Sequence, residues 1–165
     1  MKIHNVHERS IVGSMASAAE LLDSLAGPND KLWPHGQWPP MKLDAQLTVG
    51  SAGGHGPVRY RVSEYDPGRK VAFSFDNSGI AAGMVGGHYF EICPNGDRLV
   101  IRHVLTANCN FGKWLHWAVI IRPLHDALLE DALDRAEGAM NPRFSSSTPW
   151  SPWVRFLRFL LTKLN

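Results

Sequence analysis

A chain of 165 residues, 44% hydrophobic and 19% charged, is long enough for one domain that buries roughly 70% of its unfolded surface. No apolar run reaches membrane-spanning length, and the polar opening segment with His4, His7, Glu8 and Arg9 does not read as a secretory signal, so a cytoplasmic location is expected. The net charge of +2 is unevenly spread: residues 1–140 hold 13 Lys/Arg against all 15 Asp/Glu, residues 141–165 hold four basic residues and no acid, and the body has no basic stripe that would suit nucleic acid.

Residues 3–12 alternate weakly and predict a first strand. Ser17, Ala18, Ala19 and Glu20 form a capping box, so a short helix is expected from there through Leu21, Leu22 and Leu25, ended by Gly27 and Pro28. Residues 28–42 predict a loop stiffened by Trp33-Pro34 and Trp38-Pro39-Pro40. Strand patterns follow at Leu43 to Val49, at Val58, Tyr60 and Val62, and at Val71, Phe73 and Phe75. Asp66-Pro67-Gly68-Arg69 is a turn between the last two. The glycine-rich stretch from Gly50 to Gly56 lacks the lysine and hydroxyl residue of a phosphate loop and reads as a connection.

Residues 86–92 and 98–107 flank Asn95-Gly96, which predicts a hairpin with a two-residue type I′ turn. That register sets His88 opposite His103 and Phe90 opposite Ile101. One face then carries His88, Phe90, Ile92, Leu99, Ile101, His103 and Leu105, and should point inward. Cys93 and Cys109, the only cysteines, form no C-x-x-C pair and read as reduced thiols.

Residues 114–139 predict a long helix that Pro123 should kink or divide. Trp114, Trp117, Ile121, Leu124, Leu128, Ala132 and Ala136 share one face. Asp126, Glu130, Asp134 and Glu137 share the other, which reads as a solvated face. Together the elements predict an α+β fold, a curved antiparallel sheet around a long helix. Residues 1–140 are expected to form this domain, and 141–165 a linker and an added helix.

The order of elements, with Leu32-Trp33-Pro34, Trp38-Pro39-Pro40-Met41, Gly53 to Tyr60, Gly87 to Glu91, His103 and Arg122 to Leu128, resembles the START-like superfamily, also called SRPBCC or Bet v 1-like. The resemblance is closest to polyketide cyclase/dehydratase-like bacterial members and covers residues 1 to about 140. It implies a helix-grip fold with a cavity between sheet and long helix, for apolar or aromatic molecules. Carriers, cyclases and regulators share that fold, so it does not fix the function.

His88 and His103 on an apolar face form a polar anchor, and His125 reaches the same depth from the long helix. They either contact a ligand or bond to backbone and one another. Either of the first two is a candidate general acid or base. Three imidazoles suit zinc, but no cysteine or carboxylate supports the cluster, so neither metal nor cofactor is expected. Tyr60, Phe73, Phe75, Phe90, Ile101, Trp117 and Ile121 are candidate cavity lining or plain core. Trp33 and Trp38 make the proline-rich loop either a lid or a pinned loop.

In the tail, Ser151 and Pro152 read as the cap and first residue of a helix reaching about Leu164. Trp150, Trp153, Val154, Phe156, Leu157, Leu160, Leu161 and Leu164 fill one arc, and Arg155, Arg158, Thr162 and Lys163 the other. Such a helix packs on its own domain, on a second copy, or on an anionic membrane surface. Three functions remain open: binding or carriage of a small apolar molecule, cyclase or dehydratase chemistry on a polyketide-like or aromatic substrate, and an interaction role through the tail.

Overall fold

The structure, a computed structural model, describes residues 1–145 and 149–163, without the side chains of residues 162 and 163. Seven strands form one antiparallel sheet: β1 (Lys2–Ile11), β2 (Lys42–Leu43), β3 (Ala52–His55), β4 (Val58–Asp66), β5 (Lys70–Phe75), β6 (Val85–Asn95) and β7 (Arg98–Asn108). Their order is β1-β7-β6-β5-β4-β3-β2, so the first strand closes onto the last. A short helix, α1 (Met15–Asp23), follows β1. The long helix comprises α2 (Phe111–His116), a π turn (Trp117–Ile121) and α3 (Arg122–Met140), and α4 (Pro152–Lys163) forms the tail. This is the α+β helix-grip arrangement that the pattern predicts. The main core gathers Leu21, Leu22, Leu25, Trp33, Tyr60, Phe73, Phe90, Ile101, Leu129 and Leu133 between sheet and helices.

Several local expectations change. α1 begins earlier, because Ser14 and not Ser17 is its cap: the Ser14 hydroxyl accepts the Ser17 N–H at 3.1 Å. The strand expected over Leu43 to Val49 shrinks to Lys42–Leu43, and the glycine-rich stretch read as a connection supplies β3 instead. A Cβ at Gly54 would strike the Val58 carbonyl, so glycine there lets the β3–β4 backbones close up.

In the β6–β7 hairpin, Gly96 and Asp97 occupy the turn, one residue beyond the expected centre, and Asn95 pairs with Arg98. Gly96 has φ +63° at the first central position, the pattern of a type II′ turn. Phe90 therefore faces His103, and His88 faces Leu105. Moving the centre by one residue moves each partner by two, so His88 and His103 still share the inner face, as diagonal neighbours.

Pro123 neither breaks nor ends the long helix. A π turn precedes it, in which the Arg122 N–H reaches back to Trp117. Pro123 has no N–H for the carbonyl four residues earlier, Val119, and that carbonyl accepts the Trp153 indole N–H of α4 at 2.9 Å.

The helix face expected to be solvated is covered by β1. Asn5, His7 and Arg9 on the inner face of β1 meet Asp126, Glu130, Asp134 and Glu137. Charged side chains can sit there because each finds an opposite partner. The α4 helix starts where expected, with the Ser151 hydroxyl accepting the Val154 N–H at 3.2 Å. It packs on its own domain through buried Val154 and Leu157. Its expected end, Leu164, and part of the linker, residues 146–148, lie outside the described residues.

Candidate functional site

A cavity of about 320 Å³ lies between the sheet and the long helix. Phe75, His88, His103 and Leu105 line it from the sheet, and Trp117, Ile121, Leu124, His125 and Leu128 from the long helix. Trp33 and Trp38 contribute from the proline-rich loop, Ile80, Ala81 and Met84 from the segment before β6, and Leu157, Leu160 and Leu161 from α4. Its ionisable side chains are four histidines: His55, His88, His103 and His125. The exposed members of the wall, Pro39, Gly56, Pro57, Leu160 and Leu161, mark its rim.

His88 and His103 touch: His88 Nδ1 lies 3.1 Å from His103 Nε2. His88 stacks on Phe73 with ring centres 4.9 Å apart, and Phe90 packs its edge on His103 at 4.6 Å. Burial pushes both pKa values well below the usual histidine range, so both rings are neutral. A neutral imidazole has one donor and one acceptor nitrogen. Whichever ring gives the inner proton, the two outer nitrogens, His88 Nε2 and His103 Nδ1, are then one donor and one acceptor. Among the described residues both are buried without a hydrogen-bond partner, and His125 Nδ1 lies 3.7 Å from Asp126 Oδ1, beyond hydrogen-bond reach.

His55, on β3, is a cavity residue that the sequence reading overlooked. Its Nδ1 lies 3.0 Å from the Tyr60 hydroxyl, and its ring sits 4.7 Å from that of Trp33. Burial pushes its pKa down to about 3. The signal was present in Gly53-Gly54-His55-Gly56, but alternation cannot be read through glycines.

Behind His125 lies a polar seam. His7 sets Nδ1 2.8 Å from Glu130 and Nε2 3.0 Å from Asp126, and Arg9 reaches Glu130, Asp134 and Glu137. Burial works against a charge on His7, but its bonds to Asp126 and Glu130 outweigh it and raise the pKa. Burial likewise opposes the Asp126 carboxylate, yet His125, His7 and Asn5 hold its pKa below the usual range. His7, His125 and Asp126 offer donor atoms within 4.8 Å of one another, a spacing compatible with a metal ion. An imidazole bonded to carboxylates through both nitrogens is held as the cation, however, and has no lone pair for a metal. The seam is therefore read as an ion-pair network.

The proline-rich loop is pinned. Trp33, only 2% exposed, donates its indole N–H to the Pro39 carbonyl at 2.9 Å. Trp38 and Trp150 both donate to Asp131 Oδ2, at 2.6 and 2.9 Å. The Arg158 guanidinium lies over both indoles, 4.2 and 3.9 Å from their centres, and donates to the Gln37 carbonyl. This clasp joins loop, long helix and tail.

Of the expected site residues, the structure brings His88, His103, His125, Phe75, Trp117, Ile121, Trp33, Trp38, Leu157 and Leu160 to the cavity wall. Tyr60, Phe73, Phe90 and Ile101 point inward but lie behind that wall as core. Trp150 and Arg158 belong to the clasp, and Trp153, Phe156 and Arg155 lie on the outside of α4.

No protein-family profile and no curated protein matches the sequence. Solved structures do match. A Thermobifida fusca protein superposes with a TM-score of 0.67 at 13% identity, covering 88% of this chain and 99% of its own. Norcoclaurine synthase from Thalictrum flavum, in complex with dopamine and hydroxybenzaldehyde, gives 0.65 at 14% identity over 88% and 90%. CalU16 from Micromonospora echinospora gives 0.58 at 12% identity over 97% and 83%. Likeness at such identities establishes the fold alone, the helix-grip arrangement described above.

Proposed function

We propose that the chain binds and carries a small apolar molecule in the cavity between sheet and long helix. The cavity itself carries this reading: about 320 Å³ of space walled by apolar side chains, with histidines as the only ionisable groups among the described residues. Such a volume is at the lower end of the range of ligand pockets, so the molecule is compact. The like-folded synthase is in complex with dopamine and hydroxybenzaldehyde, two small aromatic compounds. Native mass spectrometry of the purified protein tests the reading by seeking a co-purified compound, alongside displacement of an apolar fluorescent dye. Ile121→Trp projects an indole into this space and is expected to abolish dye binding while the protein stays folded. Dye binding that survives in this variant, with no co-purified compound, removes the proposal.

A second reading rests on the His88–His103 pair. A neutral pair with one donor and one acceptor at its ends suits a cyclase or dehydratase acting on a polyketide-like or aromatic substrate. The bare nitrogen takes a proton from the carbon beside a carbonyl, the other outer nitrogen gives its proton to the carbonyl oxygen, and the inner proton shifts between the rings. An enol forms with no change in the charge of the pair. Both outer nitrogens are covered, so this reading requires both to be uncovered towards the substrate while the bond between the rings is kept. Turnover that disappears on His88→Ala or His103→Ala, with substrate still bound, favours it over carriage.

A further inference from the structure

The α4 helix is apolar over a wider arc than its own domain covers. Val154 and Leu157 are buried, while Trp153, Phe156, Phe159 and Leu160 remain 40–57% exposed. Beside them the first part of the long helix shows the same feature. Phe111, Leu115 and Val119, spaced four apart and so on one side, are 64%, 48% and 45% exposed. The hydrogen bond from Trp153 to the Val119 carbonyl places the two helices side by side. Trp153 and Phe156 stack with ring centres 5.5 Å apart, which holds two large rings outward together.

The segments that form this face carry charge of one sign. No Asp or Glu occurs from residue 98 to 125 or from 138 to the end of the chain, whereas Lys113, Arg122, Arg143, Arg155, Arg158 and Lys163 do. Among these, Arg158 is held in the tryptophan clasp and Arg122 leans on Asp126 at 3.4 Å. Arg155 is exposed on α4. Leu160 belongs both to this face and to the rim of the cavity.

We propose that the face formed by Phe111, Leu115, Val119, Trp153, Phe156 and Leu160 docks on an anionic lipid bilayer, with the cavity rim against the membrane. Aromatic and aliphatic side chains on segments that carry basic residues and no acid match the boundary between acyl chains and anionic headgroups. An exposed apolar surface of this kind needs an occupant. A second copy fits less well, because a two-fold contact through this face brings two such acid-free segments together, with the exposed Arg155 of each. The inference rests on the cavity reading in one respect only: it names the bilayer as the source of the carried molecule.

Flotation of the full chain with phosphatidylcholine vesicles, with and without phosphatidylserine, tests it. Binding is expected to the anionic vesicles, with loss on neutral vesicles or in high salt, and with a blue shift of tryptophan emission. Leu115→Glu and Phe156→Glu change exposed residues outside the cavity wall, so both variants are expected to fold and to bind the apolar dye as before. Each should weaken vesicle binding about tenfold. Ile121→Trp is expected to lose the dye and keep the vesicles, which separates failure of the cavity reading from failure of this one. Absence of vesicle binding, or equal binding by the Glu variants, overturns the proposal. So does a concentration-dependent dimer in sedimentation that Leu115→Glu disperses, since a second copy then occupies the face.

Discussion

The His88 and His103 side chains are costly residues to bury. Each leaves one nitrogen unpartnered, and an unsatisfied buried polar atom costs about 1–3 kcal/mol. Phenylalanine and leucine at these positions would remove both unpartnered atoms and the bond between the rings together. His103→Leu alone strands both His88 nitrogens and is expected to destabilise the fold by about 1 kcal/mol. The double variant His88→Phe, His103→Leu is expected to equal or exceed the parent in stability while ligand affinity falls. Urea denaturation of the two singles and the double closes this cycle. A double variant less stable than either single would mean that the pair is structural cement and not a site maintained at a cost.

At the scale of elements, three segments distant in sequence meet at one carboxylate. Asp131 on α3 accepts from Trp38 of the loop and Trp150 of the tail, and Arg158 of α4 covers both rings. Guanidinium over indole contributes on the order of 0.5–2 kcal/mol per ring, and burial of Val154 and Leu157 adds about 1.5–3 kcal/mol each. The tail is thus held by a few strong points, and Asp131 serves two of them. Asp131→Ala is expected to release Trp38 and Trp150 and so to speed proteolysis within 141–151 several-fold, with the sheet intact by circular dichroism. Cleavage at the parent rate would show that the tail is anchored mainly by its apolar contacts. The same carboxylate holds the tryptophan loop in place as a wall of the cavity.

For the molecule as a whole, the histidines make stability depend on pH. His88 and His103 are buried and His55 and His125 half-buried, all neutral, each with a pKa lowered mainly by desolvation. Below about pH 6.5 the unfolded chain takes up protons at these sites and the folded chain does not. Stability therefore falls as pH drops from there, by up to about 1.4 kcal/mol per pH unit for each group. His7 acts the other way: its pKa is raised, so its contribution is full below about 6.5 and is lost as pH rises through the folded value. Four groups against one give a net loss on acidification. The melting temperature is expected to drop clearly between pH 7.5 and pH 5.0. An equal or higher value at pH 5.0 would mean that these imidazoles are solvated in the folded protein.

Much of the architecture is determined by the sequence alone. Period-two alternation in β4 to β7, the apolar face of the long helix and the capped tail follow from local pattern, because burial of one face is a local requirement on side chains. The shared face of His88 and His103 was legible for the same reason and survived a shift in the turn, since parity is all it needs. Other features exist only in three dimensions. Asp126, Glu130, Asp134 and Glu137 read as a solvated stripe until β1 closes against β7 and brings His7 and Arg9 across them. His55 reaches the cavity from a glycine-rich segment with no period to follow. The Asp131 clasp joins residues 38, 131, 150 and 158, which no sequence window contains. Local pattern decides which side of an element is buried; only the packed sheet and helices decide what meets it there, because opposite charges and aromatic rings find one another across the fold and not along the chain.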